Sequence, residues 1–136
     1  MAHKSALVSD YMTGKLISFS PQTDVLDAIH ELVLHRIAGA PVLDDQGNLV
    51  GMLSELDCLK VALTAGYHGE RGGPVSEYMT TETETVDADM SIVDLAQKFL
   101  HSGFRRYPVM KDNRLIGQVS RRDVLRALET LAKGVG

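Results

Sequence analysis

"GMLSELD", residues 51–57, and "GQVSRRD", residues 117–123, decide how this chain is read: each closes a β-branched and aliphatic run and opens a helical pattern. Gly, Ser and Asp recur in both at the same spacing. A serine followed three residues later by an acid is the capping-box signature, in which side chains satisfy the orphan N–H groups of a helix start. Capping therefore competes with any functional reading of Ser54, Asp57, Ser120 and Asp123.

Outward from these two stretches the whole chain repeats. "VSDYMT", residues 8–13, returns as "VSEYMT", residues 75–80, and "APV", residues 40–42, faces "YPV", residues 107–109. Asp27 and Asp94 keep that register. Beyond the hairpin the offset drops by one, because "LDDQGNLVG" has one residue more than "MKDNRLIG", and turn tips are where insertions are tolerated. Two copies are too few for a solenoid and fit duplication of one α/β unit.

The first copy drafts as a short strand "KLISFS" (15–20) and a helix "DVLDAIHELVLHRI" (24–37) with Val25, Ile29, Leu32 and Val33 at helical spacing. Asp24 or Thr23 caps that helix, and Gly39 fits its exit. "APVLDDQGNLVGML" (40–53) reads as strand, turn and strand, followed by a last helix over 55–66. The second copy follows suit: strand "ETVD", helix "SIVDLAQKFLHS" with Gly103 after it, hairpin "YPVMKDNRLIGQVS" and helix "RRDVLRALETLAK". The expected division is repeat 1 at 1–66, a glycine-rich linker "YHGERGGP" at 67–74 and repeat 2 at 75–136. Each copy, at roughly 60 residues, is marginal alone, so the two are expected to pack on each other.

The 136 residues, 44% hydrophobic and 24% charged, have the balance of one globular unit. A net charge of -4 argues against nucleic-acid or anionic-membrane partners, although a local basic patch remains compatible with a small anion. Cys58 is the single cysteine and forms no internal disulfide. No stretch reaches the roughly 20 apolar residues of a membrane span, and "MAHKSALVSDYM" lacks a signal's apolar core. A soluble, cytoplasmic protein is expected.

With the "PV" strand and the G-x-x-S-x-x-D motif in both copies, the chain resembles a tandem pair of cystathionine-β-synthase (CBS) domains, the Bateman module, of the free-standing bacterial type. "HRIAGAPVLDDQGNLVGMLSELD" is similar to repeats of the γ subunit of AMP-activated protein kinase, and "VSDYMT" resembles the segment that opens many bacterial CBS pairs. The resemblance covers nearly the whole chain. It implies an α/β (α+β) fold of two β-α-β-β-α repeats packed with pseudo-two-fold symmetry, and a regulator rather than an enzyme. AMP, ADP or ATP is the implied ligand, with S-adenosylmethionine or NAD as alternatives. The implied partners are a second copy in a homodimer and a separate regulated chain of unknown identity.

A strand running into a helix gathers N–H groups and the positive dipole end, which suits an anion. An aspartate one turn on suits ribose hydroxyls, as in dinucleotide-binding folds. In the family the clefts are crossed, and carried onto this sequence they are unlike. One takes Asp123 and Ser120, with Arg105, Arg106 and Arg122 for phosphate, and Ile17, Ile37, Ala38, Gly39, Pro41 and Thr13 around the base. The other takes Asp57 and Ser54 with Thr80, Glu84, Phe104 and Pro108. It is expected to be weaker, since Glu55 stands where the other has Arg121, Ala38 replaces a basic residue and Glu84 adds an acid that repels phosphate.

Other features stay structural. His30 and His35 are off the i, i+4 spacing of a metal pair, and His3, His68 and His101 are scattered, so no metal is expected. Cys58 reads as a small core residue, and Met12, Met52, Met79, Met90 and Met110 as packing. "GERGG" lacks the residues of a P-loop. Val124, Leu125, Leu128 and Leu131 are expected to leave an apolar helix face open for dimerisation. A structural or dimerisation module with no ligand is the alternative function; an enzyme is disfavoured because no nucleophile, base and orienter assemble from the motifs.

Overall fold

The computed structural model describes residues 6–14, 16–68 and 72–134, so that His3, Lys15 and linker residues 69–71 lie outside it. Its elements run α1 (Val8–Tyr11), α2 (Val25–His35), β1 (Gly39–Leu43), β2 (Leu49–Ser54), α3 (Glu55–Leu59), α4 (Val61–His68), a 3-10 turn (Val75–Glu77), β3 (Val86–Asp87), α5 (Ile92–Leu100), β4 (Arg106–Lys111), β5 (Arg114–Ser120) and α6 (Arg121–Ala132). The fold is α+β. Two compact units form, one of Met1–Leu16 with Glu84–Gly136 and one of Ile17–Thr83.

These units cut the chain differently from the repeats, because the opening segments change places. In the first unit Val8 N–H donates to the Met90 carbonyl (2.9 Å), Ser9 N–H to Ala88 (3.1 Å), and Ile92 N–H to Ala6 (3.0 Å). In the second unit the bonds at the equivalent positions are Val75 N–H to Thr23 (2.7 Å), Ser76 N–H to Pro21 (2.9 Å) and Val25 N–H to Gly73 (2.9 Å). The start of each repeat thus caps the helix and strand of the other copy.

In the Ile17–Thr83 unit, β1 and β2 form an antiparallel hairpin, with Phe19 bridging in parallel to Val42 and Met52 pairing with Thr80. Alternate residues of the hairpin point into a core of Phe19, Val25, Ala28, Leu32, Ala40, Val42, Leu53, Val75 and Tyr78. Burying one such aliphatic side chain contributes about 1.5–3 kcal/mol. The hairpin tip is held by Asp44, whose carboxylate accepts from the N–H groups of Gln46 (2.9 Å) and Asn48 (2.8 Å). In the other unit β3 pairs in parallel with β4, and β4 antiparallel with β5. The two-residue turn there places Asp112 and Asn113 at φ 51° and 64°, the left-handed pair that a tight hairpin demands. Both hairpins carry a register irregularity at the same repeat position, Val42/Leu43 and Val109/Met110.

Several expectations are corrected. Of "KLISFS", the described residues 16–20 form no extended strand, only the single Phe19 bridge, since Ser18 faces solvent and Ser20 turns to bond the Gln22 side chain. Helix α2 ends not at Gly39 but at Arg36, which adopts the left-handed conformation (φ 54°, ψ 45°) and donates its N–H back into the last turn. Val33 lies on the outer side of that helix, 71% exposed, because Val25, Ala28 and Leu32 fill the inner stripe. The last helix of the first copy breaks at Lys60, whose N–H bonds the Asp57 carbonyl at 3.2 Å, and resumes as α4 to His68. Val124 is core rather than open surface, 5% exposed, while Leu125, Leu128 and Leu131 do face outward.

Candidate ligand-binding site

Ser120 is the N-cap of α6, with extended backbone (φ -115°, ψ 169°). Its hydroxyl accepts from Asp123 N–H (3.3 Å) and donates to Asp123 Oδ2 (3.1 Å), and its own N–H donates to the same oxygen (2.8 Å). Oδ1 accepts from Arg126 Nη2 at 3.0 Å. Arg126 also donates to the Tyr11 carbonyl (3.1 Å) and stands 5.7 Å from the Tyr11 ring centroid. The box closes as the sequence pattern predicts, and a box of this kind stabilises a helix start by about 1 kcal/mol. Three donors occupy a carboxylate with about four acceptor positions, which leaves Oδ1 able to take one more.

Asp57 is the one buried charged residue among those described, 6% exposed. Ser54 N–H donates to Oδ2 (3.0 Å) and Ser54 Oγ accepts from Asp57 N–H (3.1 Å). Lys60 Nζ reaches Oδ1 at 3.3 Å. The Thr80 hydroxyl lies between both carboxylate oxygens, 3.2 Å from Oδ1 and 3.4 Å from Oδ2.

The glycines of the repeated motif serve packing. A Cβ on Gly117 would stand 2.7 Å from the Thr13 carbonyl oxygen and 2.6 Å from Met12 Sδ; on Gly51, 3.0 Å from the Thr80 carbonyl oxygen and 2.7 Å from Met79 Sδ. The "MT" of each opening segment passes directly over the glycine of the other copy, so Gly admits the segment while Ser and Asp cap the helix that follows.

Of the residues singled out from sequence, Thr13, Arg105, Arg106, Ser120, Arg122 and Asp123 share the first unit with Glu84, Phe104 and Pro108, while Ile17, Ile37, Ala38, Gly39, Pro41, Ser54, Asp57 and Thr80 share the other. Thr13 pairs with Gln118 through reciprocal backbone bonds of 2.8 and 2.9 Å, two residues before Ser120. Arg106 stands opposite Ser120 in the β4–β5 register, and Arg121 N–H donates to the Arg105 carbonyl at 3.2 Å. The arginine pair and the start of α6 are therefore neighbours. Arg105 and Arg122 are exposed and Arg106 half-buried. The Arg121 guanidinium turns to the Phe104 carbonyl (Nε to O, 3.1 Å).

Glu84, the acid expected to repel phosphate, pairs with Lys98 Nζ at 3.0 Å, and that hydrogen bond holds the Lys98 ammonium above its usual pKa range. Both groups line an open cavity of about 440 Å³ with Asp94, Gln97, His101, Ser102 and Tyr107. Cys58 packs against the core of the Ile17–Thr83 unit; burial above all, then the charges of Asp57 and Glu55, push its thiol pKa up to about 11. Met12 and Met90 pack against one core and Met79 against the other. Sequence reasoning missed Lys60 and Arg126, which occupy equivalent positions three residues after each aspartate; i, i+3 spacing on a helix is the signal that finds them. No helix among the described residues is long and apolar enough to cross a membrane.

Two small α+β units, each with a hairpin feeding a capped helix and each closed by the other copy's opening segment, define a tandem-repeat module. The sequence matches the CBS domain twice, over residues 8–64 and 75–130, and the chain belongs to the CBS domain family. It is 34% identical over 122 residues to an uncharacterized 17.7 kDa protein of Acidianus ambivalens, covering 89% of this chain and 72% of that one. It spans only 34% of MJ1404, a longer relative from Methanocaldococcus jannaschii. Among solved structures it is similar to CBSX2 of Arabidopsis thaliana in complex with AMP (34% identity, TM-score 0.82, covering 93% of this chain and 98% of that one). It is also similar to the CBS pair of protein MJ0100 in complex with 5'-methylthioadenosine and S-adenosyl-L-methionine (26% identity, TM-score 0.74, 90% and 99%).

Proposed function

We propose that this chain is a regulatory module that binds an adenine nucleotide, AMP, ADP or ATP, and acts on a separate partner protein. The observation that carries the reading is the start of α6: Asp123 keeps an acceptor position on Oδ1 while Arg105, Arg106 and Arg122 stand on the same and the neighbouring segment. Asp123 would hold a ribose hydroxyl, and the arginines with the N–H groups of the helix start would hold phosphate. The base wall assigned by resemblance to Ile17, Ile37, Ala38, Gly39 and Pro41, with Thr13, completes the proposal. AMP in CBSX2, at 34% identity, supports this ligand class, and S-adenosylmethionine, bound by the MJ0100 pair, and NAD are the alternatives. The Asp57 half, with Ser54, Thr80, Glu84, Phe104 and Pro108, is proposed as the weaker one.

We place the protein in the cytoplasm as a homodimer, for which Leu125, Leu128 and Leu131 offer an apolar face. One observation favours a second reading, a purely structural module: both aspartates are already committed to capping their own helices. Thermal shift with AMP, ADP, ATP, NAD, S-adenosylmethionine and adenosine separates the two. Binding raises the transition in proportion to ln(1 + [L]/Kd). A rise with phosphate-bearing ligands is expected; no rise with any of them, at millimolar concentration, refutes the regulatory reading.

A further inference from the structure

Resting on that reading, we infer that Thr80 is the residue that closes the Asp57 half to ligand, its hydroxyl standing in for the hydroxyl of a sugar. The Thr80 side chain reaches Asp57 across 23 positions of sequence, and its oxygen is shared between Oδ1 at 3.2 Å and Oδ2 at 3.4 Å. A hydroxyl placed between the two oxygens of a carboxylate covers the edge that a vicinal diol would approach. With Ser54 N–H on Oδ2 and Lys60 on Oδ1, this carboxylate has three donors as Asp123 does, but only here does one of the three stand across the edge shared by both oxygens.

The other unit supplies an internal control. Thr13 occupies the repeat position equivalent to Thr80 and makes the equivalent backbone pairing, yet its hydroxyl makes no bond to Asp123. The same side-chain chemistry is thus engaged at one aspartate and disengaged at the other. The weakness of the Asp57 half then follows from a specific intramolecular competitor, and the ion pair that neutralises Glu84 removes one electrostatic explanation for it. Thr80 acts here as a specificity-determining residue, setting one ligand per chain in place of two.

The backbone of Thr80 is held independently by reciprocal 2.9 Å bonds with Met52, so Thr80→Val removes the hydroxyl while keeping the segment and the β-branched shape. The test is calorimetric titration of AMP into the full chain, wild type beside Thr80→Val, with Thr80→Ala in reserve should valine not fold. Wild type is expected to bind one equivalent. Thr80→Val is expected to bind a second, with affinity at that half raised about tenfold or more, the worth of releasing a hydroxyl from an ionised acceptor. Thr80→Ser restores the hydroxyl and should return to one equivalent; Asp57→Asn added to Thr80→Val should lose the gained one. One equivalent in both wild type and Thr80→Val, or two equal equivalents in wild type, overturns the inference and leaves the nucleotide reading standing. No AMP bound by any of these proteins refutes that reading and the inference together.

Discussion

Replacing Gly117 by alanine tests the assertion that the repeated glycine exists to admit the opening segment of the other copy. The new Cβ would stand 2.7 Å from the Thr13 carbonyl oxygen and 2.6 Å from Met12 Sδ, distances that side-chain carbons essentially never show. Met12 is partly buried against the core, and the Thr13 carbonyl accepts from Gln118 N–H at 2.9 Å while Thr13 N–H donates back at 2.8 Å. Relief therefore strains or breaks a pair of ladder bonds. Overpacking of this kind costs about 1–3 kcal/mol, each weakened bond about 1 kcal/mol, and the stiffer unfolded chain returns about 0.4–1 kcal/mol. The net loss is about 2–4 kcal/mol, which for a chain of this length lowers Tm by about 10 °C or more. Gly103→Ala is the control: a Cβ there meets nothing within 4 Å, and a change within about 0.5 kcal/mol is expected. Urea melts of both variants decide it. A loss below about 1 kcal/mol for Gly117→Ala, or equal losses for the two, refutes the close-approach account.

Cys58, its thiol pKa raised to about 11 by burial and by Asp57 and Glu55, should react with iodoacetamide at pH 8 more slowly in the native protein than in urea. The native state keeps its proton where the unfolded state loses it, so this thiol's contribution to stability is complete below about pH 9 and declines as pH rises toward 11; pH-dependent melts read that decline. Arg106→Glu should bring AMP affinity down to that of adenosine, because it puts a repelling carboxylate where a phosphate donor stood; titration of both ligands into wild type and variant checks it, and unchanged AMP affinity contradicts it.

Much of the fold was legible because duplication doubles every local signal. Ser54 with Asp57 and Ser120 with Asp123 are short-range devices whose partners lie three residues away, and both form as their spacing demands. The Asp112–Asn113 turn is equally local. What failed depended on partners distant in sequence. Val33 fits the helical period but is left outside because Val25, Ala28 and Leu32 suffice for the core, and Val124 is drawn inward by a cluster containing Val8 and Val119. Nothing in "VSDYMT" says that its backbone bonds will go to Ala88 and Met90 of the second copy. The motif glycines and Thr80 take their roles from that exchange. The Glu84–Lys98 pair, fourteen residues apart, lies within no local motif and was not legible in the sequence.

The central claim, that Asp123 rather than Asp57 holds the nucleotide, is tested most directly by titrating AMP into Asp123→Ala and Asp57→Ala. Each substitution removes one capping carboxylate, at a similar cost of about 1 kcal/mol to its helix, so each controls for the structural effect of the other. The account predicts that Asp123→Ala abolishes the enthalpic signal or weakens it at least about tenfold, while Asp57→Ala binds as wild type does. Equal losses in the two variants, or a loss confined to Asp57→Ala, would contradict it.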